Sequence, residues 1–394
     1  MKSIAILAVA LLLAASPFHR SEAAESAYDI HVIVAITGGG SFLGKEEQQA
    51  LVLAEKTVNR SGGIHGKPLR FVFHDDQSNP QLAVQLATEV VALHPAVIMG
   101  STLVATCNAM APLVKNGPVM YCFSAGIHPA PGSYVFTAGN STHDQAAALI
   151  RYFRLKGWTH LALMTSTDAT GQDADRGFDE LMSQPGNSDI KVVEHPHFNP
   201  ADVSVSAQIE RIKAAGPQAI VGWATGSPSA TIFRGVAQAG IDVPMGTTGG
   251  NMTYAQMRQF AAFLPKALYL PASEWPIGPE GRGGLDPAVA AKQKEFYAAF
   301  AEAGMKPDEG SILAWDPAGI VVDALRALPE TATATELHDR LVQLKAYAGV
   351  AGIYDFVKSP QRGLSFDNVI ITRWNPAGDR WDQVSKPTGI PLEP

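Results

Sequence analysis

The chain has 394 residues, of which 46% are hydrophobic and 17% charged, so it is long enough for two or three domains and too apolar for wholesale disorder. Its formal net charge of −7 argues against general binding to nucleic acid. Its two cysteines are too few for a disulfide scaffold or a cysteine-based zinc cluster.

The amino terminus has the features of a cleaved secretory signal. Lys2 precedes the unbroken apolar run Ile4–Ala15, which is shorter than the roughly 20 residues that a membrane-spanning helix needs. Ser21 and Ala23 supply small side chains at the two positions that signal peptidase reads. We therefore expect residues 1–23 to be removed on export to the periplasm.

The first part of the mature chain alternates short apolar strands with amphipathic helices. The predicted strands are Ile30–Ile36, Leu69–Phe73, Val97–Met99 and Val119–Phe123. Between them apolar residues recur at helical spacing, as at Leu82, Leu86 and Val90. This alternation, with its short connections, predicts a parallel sheet with helices on both faces.

The alternation restarts after Asn140. Further strands are predicted at Leu161–Met164, Ile190–Val193, Ala219–Trp223, Val243–Met245 and Val369–Trp374. The segment Leu268–Gly284, rich in Pro and Gly, is interpreted as a loop or a crossing. Helices are predicted at about 287–303 and 313–327, and Thr333 with Glu336 fits a capping box that begins another. Two α/β lobes fit this count better than one very large sheet.

No motif indicates an enzyme or a cofactor. The Gly-rich turn Thr37–Ser41 lacks the Gly-Lys-Ser/Thr ending of a phosphate loop and the third glycine of a dinucleotide fingerprint. His195 and His197 form the closest histidine pair, but no acidic triplet accompanies them, so a surface loop is favoured over a metal site. Asp75-Asp76 is interpreted as capping the next turn rather than as an acid–base pair. We expect no cofactor, no metal and no enzymatic activity.

The two cysteines are predicted to lie at the same rim of the first sheet. Cys107 falls in the first turn of the helix after strand 97–99, and Cys122 lies near the carboxyl end of the next parallel strand. A disulfide between them is geometrically feasible, and export permits it. Two buried free thiols are the open alternative.

Several motifs occur in an order typical of one protein family. They are Thr37-Gly38 with Gly44, the block Asn59–Leu69 (NRSGGIHGKPL), Asp75-Asp76 with Asn79-Pro80, Gly100, Pro118–Ala125 with Pro129, and Trp315-Asp316-Pro317-Ala318. Together they resemble the periplasmic solute-binding proteins of ABC transporters, of the branched-chain-amino-acid type. The resemblance extends over about 28–390.

The resemblance implies an α/β fold of two Rossmann-like lobes with parallel-type sheets, joined by three hinge crossings and closing on a ligand. Lobe 1 would comprise residues 27–140 and 272–362, and lobe 2 residues 141–271 and 363–394. A monomeric receptor is expected, with a small-molecule ligand and the permease subunits of an ABC importer as partners. Ligands of such sheets bind beyond the carboxyl ends of the strands, where helix N-termini favour a carboxylate.

This sequence departs from the resembled family where amino acids are usually held. The hydroxyls that hold the ligand carboxylate in the family align with Val104 and Ile127, both apolar. The positions of the ammonium partners align with Thr248 and Thr170, which are uncharged. The position of a nearby acidic residue aligns with Ser141, and a one-residue gap there would place the acidic Asp144 at it instead. An ammonium group closed into this cleft would lack a charge partner, so an ordinary amino acid is disfavoured.

The other candidate site residues suit an apolar ligand with one acidic end. An apolar wall is expected from Phe42, Val104 and Ile127, with Ala105 and Ala125 in the same loops. Polar contacts are expected from Thr102, Thr106, Thr170, Thr225, Thr248 and Asn251. Trp223 and Tyr254 are placed to stack on a ring, and the open alternative for Phe42 and Trp223 is that they are ordinary core residues. Residues 250–257 resemble relatives that bind aromatic carboxylates, which favours a benzoate or hydroxycinnamate type of ligand. An amino acid or amide ligand, or a ligand-sensing receptor, is the alternative.

Overall fold

The first β-sheet is entirely parallel and is built from the amino-terminal part of the chain. The computed structural model describes residues 27–278 and 285–393, so the predicted signal segment lies outside the described residues. The elements of this part are β1 (Tyr28–Val34), α1 (Ser41–Arg60), β2 (Leu69–Asp75), α2 (Pro80–Val91), β3 (Val97–Gly100), α3 (Val104–Met110), β4 (Val119–Cys122) and β5 (Val135–Thr137). The strands lie side by side in the order β2-β1-β3-β4-β5. Strands β3 to β5 are buried throughout, as expected of a parallel sheet covered on both faces.

The chain then crosses to a second α/β unit and returns. The elements of the second unit are α4 (Thr142–Leu155), β6 (His160–Ser166), α5 (Ala169–Ser183), β7 (Lys191–Glu194), β8 (His197–Phe198), α6 (Ser206–Ala215), β9 (Ala219–Trp223), α7 (Ser227–Gln238), β10 (Met245–Gly246), α8 (Tyr254–Gln259) and β11 (Leu268–Ala272). The returning elements are α9 (Pro287–Glu302), α10 (Glu309–Arg326), α11 (Ala334–Val342), β12 (Tyr347–Ala348) and β13 (Ile353–Tyr354). Helix α10 packs along α1 and therefore belongs to the first unit.

A third crossing leads to the last strands of the second sheet. These strands are β14 (Ile370–Asn375) and β15 (Arg380–Gln383), followed by the ribbon β16 (Ser385–Lys386) and β17 (Ile390–Pro391). The order of the second sheet is β15-β14-β11-β10-β9-β6-β7, with β8 also paired to β6. Its strands are parallel except β14 and β15, which run antiparallel to their neighbours. The predicted two-lobe α/β class is confirmed, and we call the two units lobe 1 and lobe 2. The exact residue boundaries of the lobes stay a prediction.

The segment Leu268–Gly284, interpreted from its sequence as a loop or crossing, begins with a central strand instead. Its first five residues are β11, which pairs with β10 on one side and β14 on the other. Pro271 is tolerated because Ile371, opposite it, directs its own N–H and C=O to residues 384–385. Strand β14 therefore needs no N–H from Pro271, and on the other side the pairing with β10 ends at Gly246 and Tyr269. No ladder hydrogen bond requires an N–H at Pro271. The prediction was wrong here because proline normally argues against a central strand.

Two predicted helix starts are confirmed. The Thr333 hydroxyl accepts from the backbone N–H of Glu336 at 3.2 Å, and the Glu336 carboxylate accepts from the N–H of Thr333 at 2.8 Å, which is the reciprocal capping box. Asp286 accepts from the N–H of Ala288 at 2.8 Å and is followed by Pro287 at the first helical position. Within 27–278 and 285–393, no helix is both long and apolar enough to cross a membrane.

Candidate functional site

A cavity lies between the two lobes at the carboxyl ends of strands of both sheets. Lobe 1 lines it with Leu43, Thr102, Leu103, Val104, Phe123, Ser124, Ala125, Gly126, Glu309 and Leu313, and lobe 2 with Thr142, Gln145, Thr170, Trp223, Thr225, Thr248 and Gly250. Together with its mouth it contains about 480 Å³ of space free of protein atoms. This is the position in which open α/β sheets bind ligands.

The lobes contact each other around this cavity. The Ser227 N–H donates to the carbonyl of Gly39 at 3.2 Å, which joins the start of α7 to the Gly-rich turn of lobe 1. The Nε2 atom of His128 lies 2.6 Å from Oδ1 of Asp173, again across the cleft. The structure is therefore that of a closed cleft.

Two helices of lobe 2 begin at the cavity. Thr142 is the first residue of α4 and Thr170 the second residue of α5, and both line the cavity. Ser141 caps α4 by accepting from the N–H of Asp144 at 3.0 Å, and Asp168 caps α5 by accepting from Gly171 at 3.1 Å. The positive ends of both helix dipoles are therefore directed at this space, which favours an anionic group.

The apolar part of the lining is provided by both lobes. Val104 and Leu313 are 6% and 4% exposed, and Trp223 is held by an edge-to-face contact with Phe178, with ring centroids 5.6 Å apart. The Trp223 ring is thus packed into the core of lobe 2 and at the same time lines the cavity. Its contact with a ligand stays a prediction.

A carboxyl group that the sequence did not indicate also lines the cavity. Glu309 is the first residue of α10, and its Oε2 accepts a hydrogen bond from the indole N–H of Trp275 at 2.8 Å. Burial raises the pKa of Glu309 to about 7. The neighbouring Asp308 is fully buried, and its pKa is also raised, first by burial and then by the charge of Glu46. Near neutral pH, Glu309 can therefore either donate a proton or carry a negative charge.

Gln145 is a second residue at the cavity that the sequence did not indicate. Its Oε1 accepts from the N–H of Gly249 at 3.1 Å, and its Nε2 donates to the carbonyl of Asn140 at 2.9 Å. Gln145 lies on the first turn of α4, four residues after the Ser141 cap. The sequence signal that would have indicated Gln145 is a polar residue four positions after a helix-capping serine, because such a residue lies in the first turn of the helix.

Seven predicted site residues line the cavity: Thr102, Val104, Ala125, Thr170, Trp223, Thr225 and Thr248. Among them, the Thr102 side chain is held in place by two hydrogen bonds. Its hydroxyl accepts from the N–H of Ala35 at 3.1 Å and donates to the carboxylate of Glu47. Burial raises the pKa of Glu47 well above its ordinary value. These contacts fix the position of the loop after β3.

Six other predicted site residues are absent from the lining, namely Phe42, Ala105, Thr106, Ile127, Ser141 and Asn251. The Phe42 ring packs edge-on against Phe260 at 5.6 Å. Ile127 is 3% exposed, in the core of lobe 1, and Ser141 is used as a helix cap. Phe42 thus packs against the other lobe, Ile127 lies in the core, and Ser141 caps a helix, so their side chains have structural contacts outside the cavity lining.

The remaining members of this group are held by local hydrogen bonds. Thr106 lies in the first turn of α3, directly after Ala105, and its hydroxyl donates to the carbonyl of Leu103 at 2.9 Å. Asn251 donates to Ala224 O at 2.8 Å and accepts from Gly226 N at 3.0 Å. The Tyr254 ring, also predicted to stack on a ligand, packs on Trp381 at 4.5 Å. Asn251 thus positions the loop that carries Thr225.

Asp75 and Asp76 act as turn caps, as predicted. Asp75 accepts from the N–H of Gln77 at 2.9 Å, and Asp76 from that of Ser78 at 2.8 Å. Asp76 also accepts from the hydroxyl of Ser101. This second contact ties the turn after β2 to the loop after β3.

Cys107 and Cys122 are joined by a disulfide in the structure. Reduction of the native protein is expected to add about 2 Da, because each sulfur gains a proton and an electron. Because the bridge spans 15 residues, replacing both cysteines by alanine is expected to lower the free energy of unfolding by about 3 kcal/mol. Mass spectrometry before and after reduction measures the change in mass. Urea denaturation of the wild type and of the double alanine variant measures the change in the free energy of unfolding. An unchanged mass would contradict the bridge.

The sequence matches the profile of the periplasmic binding proteins over residues 28–379. The chain belongs to this family. The prediction made from the motif order is therefore confirmed. As a periplasmic binding protein, the chain carries its two lobes and its cavity in the arrangement that the family resemblance implied.

Relatives and solved structures agree with this assignment. The chain is 23% identical over 224 residues to the leucine-, isoleucine-, valine-, threonine- and alanine-binding protein of Pseudomonas aeruginosa, a match that covers 55% of this chain and 59% of that protein. The substrate-binding protein LivJ of Streptococcus pneumoniae in complex with isoleucine has a TM-score of 0.76 at 20% identity, covering 91% of this chain and 99% of that chain. A Rhodopseudomonas palustris solute-binding protein in complex with benzoate has a TM-score of 0.76 at 17% identity, covering 91% and 96%. These structures share the fold.

Proposed function

We propose that this protein is an exported receptor that captures a small carboxylate in the cleft between its lobes and presents it to the permease of an ABC importer. The ligand is an aromatic acid of the benzoate or hydroxycinnamate type. The observation that carries this proposal is the composition of the cavity, which combines an apolar wall with threonine hydroxyls and two helix N-termini. None of the described lining residues is a lysine or an arginine.

The apolar wall favours a ring over a polar ligand. Val104, Trp223 and Leu313 lie on both sides of the cavity, and an apolar ligand surface buried between them gains about 25 cal/mol per Å². The indole face or edge of Trp223 offers a further gain through ring–ring contact. The R. palustris solute-binding protein of the same fold, which is named for its complex with benzoate, supports the choice of such a ring.

The acidic end of the ligand requires donors without a basic side chain. The hydroxyls of Thr170, Thr225 and Thr248 supply donors, and the N-termini of α4 and α5 supply a favourable field. Glu309 contributes a further donor when it is protonated, and its pKa of about 7 makes that form available at neutral pH. A carboxylic acid that is kept neutral can donate a hydrogen bond to a carboxylate.

A branched-chain or other amino acid is the second candidate ligand, and Glu309 is again the observation that favours it. When ionised, this carboxylate would pair with the ligand ammonium group that otherwise lacks a partner. The P. aeruginosa and S. pneumoniae relatives are named for amino acid ligands. The two candidates therefore require opposite protonation states of the same side chain.

Calorimetric titration of the exported form distinguishes these ligands. We expect benzoates or cinnamates to bind with 1:1 stoichiometry and to change the tryptophan fluorescence because Trp223 lines the cavity. Benzamide is the matched control, because it keeps the ring and removes the charge, and it should bind more weakly than benzoate. Small-angle scattering should show compaction on binding as the lobes close. Tight binding of leucine with no response to the aromatic acids would overturn the proposed ligand class.

A further inference from the structure

A histidine pair and an aspartate converge on the surface of lobe 2, outside the cavity. The Nε2 atom of His195 lies 3.0 Å from Oδ1 of Asp175, and the Nε2 atom of His197 lies 3.0 Å from Oδ2 of the same carboxylate. The two imidazole rings are 4.7 Å apart. All three residues thus present one donor atom each to one small volume, within 4.8 Å of one another.

The chain positions this trio by ordinary strand geometry. In an extended segment, side chains two positions apart point to the same face. His195 and His197 are separated by Pro196, which holds the backbone extended, and β8 keeps the second histidine paired to β6. In this segment, which the sequence analysis interpreted as a surface loop, the extended backbone therefore places both rings on one side.

The carboxylate is oriented by a buried hydroxyl. Thr165 is fully buried in β6, and its Oγ1 donates to Oδ1 of Asp175 at 2.7 Å. Asp175 lies on α5, 20 positions before His195 in the sequence, so no local spacing pattern connects the acid with the histidines. Such a second partner, which fixes a ligating carboxylate, is typical of protein metal sites.

We infer that Asp175, His195 and His197 form a binding site for a divalent transition-metal ion of the zinc class. Two imidazole nitrogens and one carboxylate oxygen are ligands that Zn²⁺ prefers, and three protein ligands leave a fourth position for water. The nitrogen–oxygen separations of 3.0 Å are hydrogen-bond distances, and ligands around a tetrahedral ion with bonds of about 2.0–2.2 Å lie roughly 3.3–3.6 Å apart. The three side chains would therefore move apart by a few tenths of an ångström to admit the ion. The ion would replace the hydrogen bonds between the rings and the carboxylate, and would displace a proton from each Nε2 that carries one.

The trio is also accessible to ions from solvent. The side chains of His195 and Asp175 are about one quarter exposed, and that of His197 is 45% exposed. Asp175 lies on α5, whereas His195 lies just before β8 and His197 lies in it. A bound metal ion would therefore link α5 to this segment, in place of the hydrogen bonds between the rings and the carboxylate. Binding of the ion is therefore expected to stabilise lobe 2.

Metal titration of the untagged, chelator-treated protein tests this inference. We expect one equivalent of Zn²⁺ to bind in competition with a chromophoric chelator, and Co²⁺ to give the visible absorption bands of a tetrahedral site. Zn²⁺ is also expected to raise the thermal unfolding temperature of the wild type. Replacing His197 by Gln should weaken Zn²⁺ binding at least about tenfold and remove the thermal shift.

The matched control is His160→Gln, which removes a histidine of the same lobe that lies outside the trio. It should bind Zn²⁺ as the wild type does. Asp175→Asn provides a second variant at the site, and it should weaken binding as His197→Gln does. Absence of Zn²⁺ binding at millimolar concentration would overturn the inference. Equal binding by the wild type and His197→Gln would do so as well.

Discussion

Glu309→Gln is expected to abolish the pH dependence of aromatic acid binding. In the wild type, affinity should fall about tenfold between pH 6 and pH 8, because Glu309 has a pKa of about 7 and only roughly one tenth of the protein keeps the proton one unit above that value. The ligand itself stays ionised through this range, since carboxylic acids titrate near pH 4. The glutamine variant remains neutral and should bind at both pH values with about the affinity of the wild type at pH 6. Calorimetry at the two pH values measures the effect.

An amino acid ligand would give the opposite result. Its ammonium group needs the ionised form of Glu309, so wild-type affinity would rise with pH, and Glu309→Gln would lose at least about 100-fold, corresponding to a broken buried charge pair of about 3 kcal/mol or more. Weakening of leucine binding by the variant, together with no binding of aromatic acids, would contradict the proposed ligand and support the alternative.

Unfolding of the ligand-free protein provides an internal check on the pKa of Glu309. Because burial raises this pKa from 4.5 to about 7, the folded state holds a proton that the unfolded state has lost between these values. The contribution of Glu309 to the free energy of unfolding is therefore complete below pH 4.5 and is lost as the pH rises to about 7. Over that range the free energy of unfolding of the wild type should fall by about 3 kcal/mol relative to that of Glu309→Gln.

The sequence analysis predicted the fold more fully than the site. Alternation of apolar strands with helices depends on local spacing, and each predicted strand overlaps a strand of the structure, whereas β5, β11 and β15 were not predicted. The loops that carry Thr102, Val104 and Thr170 leave strand ends, so their approach to the cavity follows from the topology. Phe42 leaves the same edge, but it meets Phe260 of the other lobe, and no local pattern contains that contact.

Glu309 could not be identified from the sequence because it reaches the cavity from a distant part of the chain. It stands at the start of α10, which the apolar spacing placed four residues later, at Leu313. Helix α10 belongs to lobe 1 but follows β6 to β11 of lobe 2 in the chain. Asp175 was missed for the same reason, since its partners lie on a different element. Pairs of this kind are set by tertiary packing, whereas caps such as Thr333 with Glu336 are set by neighbouring residues.

Gly226→Ala is expected to keep the lobes from closing. Gly226 has a φ of +75° and opens helix α7 of lobe 2, and a Cβ added there would lie 2.3 Å from the carbonyl oxygen of Gly39 in lobe 1. That oxygen belongs to the backbone and cannot rotate away as a flexible side chain does. The closed state is therefore disfavoured, and ligand affinity should fall at least about 100-fold because the competent state is rarely populated. Scattering should show no compaction at ligand concentrations that close the wild type.

Gly240→Ala separates this steric effect from backbone strain. Gly240 has a φ of +67°, and a Cβ there would meet nothing within 4 Å. Both variants should lose stability, because a side chain in the left-handed region costs about 1–2 kcal/mol. The loss should be larger for Gly226→Ala, since the backbone there (φ +75°, ψ −143°) lies in a region that is nearly restricted to glycine. Only Gly226→Ala should lose affinity and compaction, since only its side chain would stand between the lobes. Wild-type affinity in Gly226→Ala, or an equal loss of affinity in Gly240→Ala, would show that contact between Gly39 and Gly226 does not limit closure.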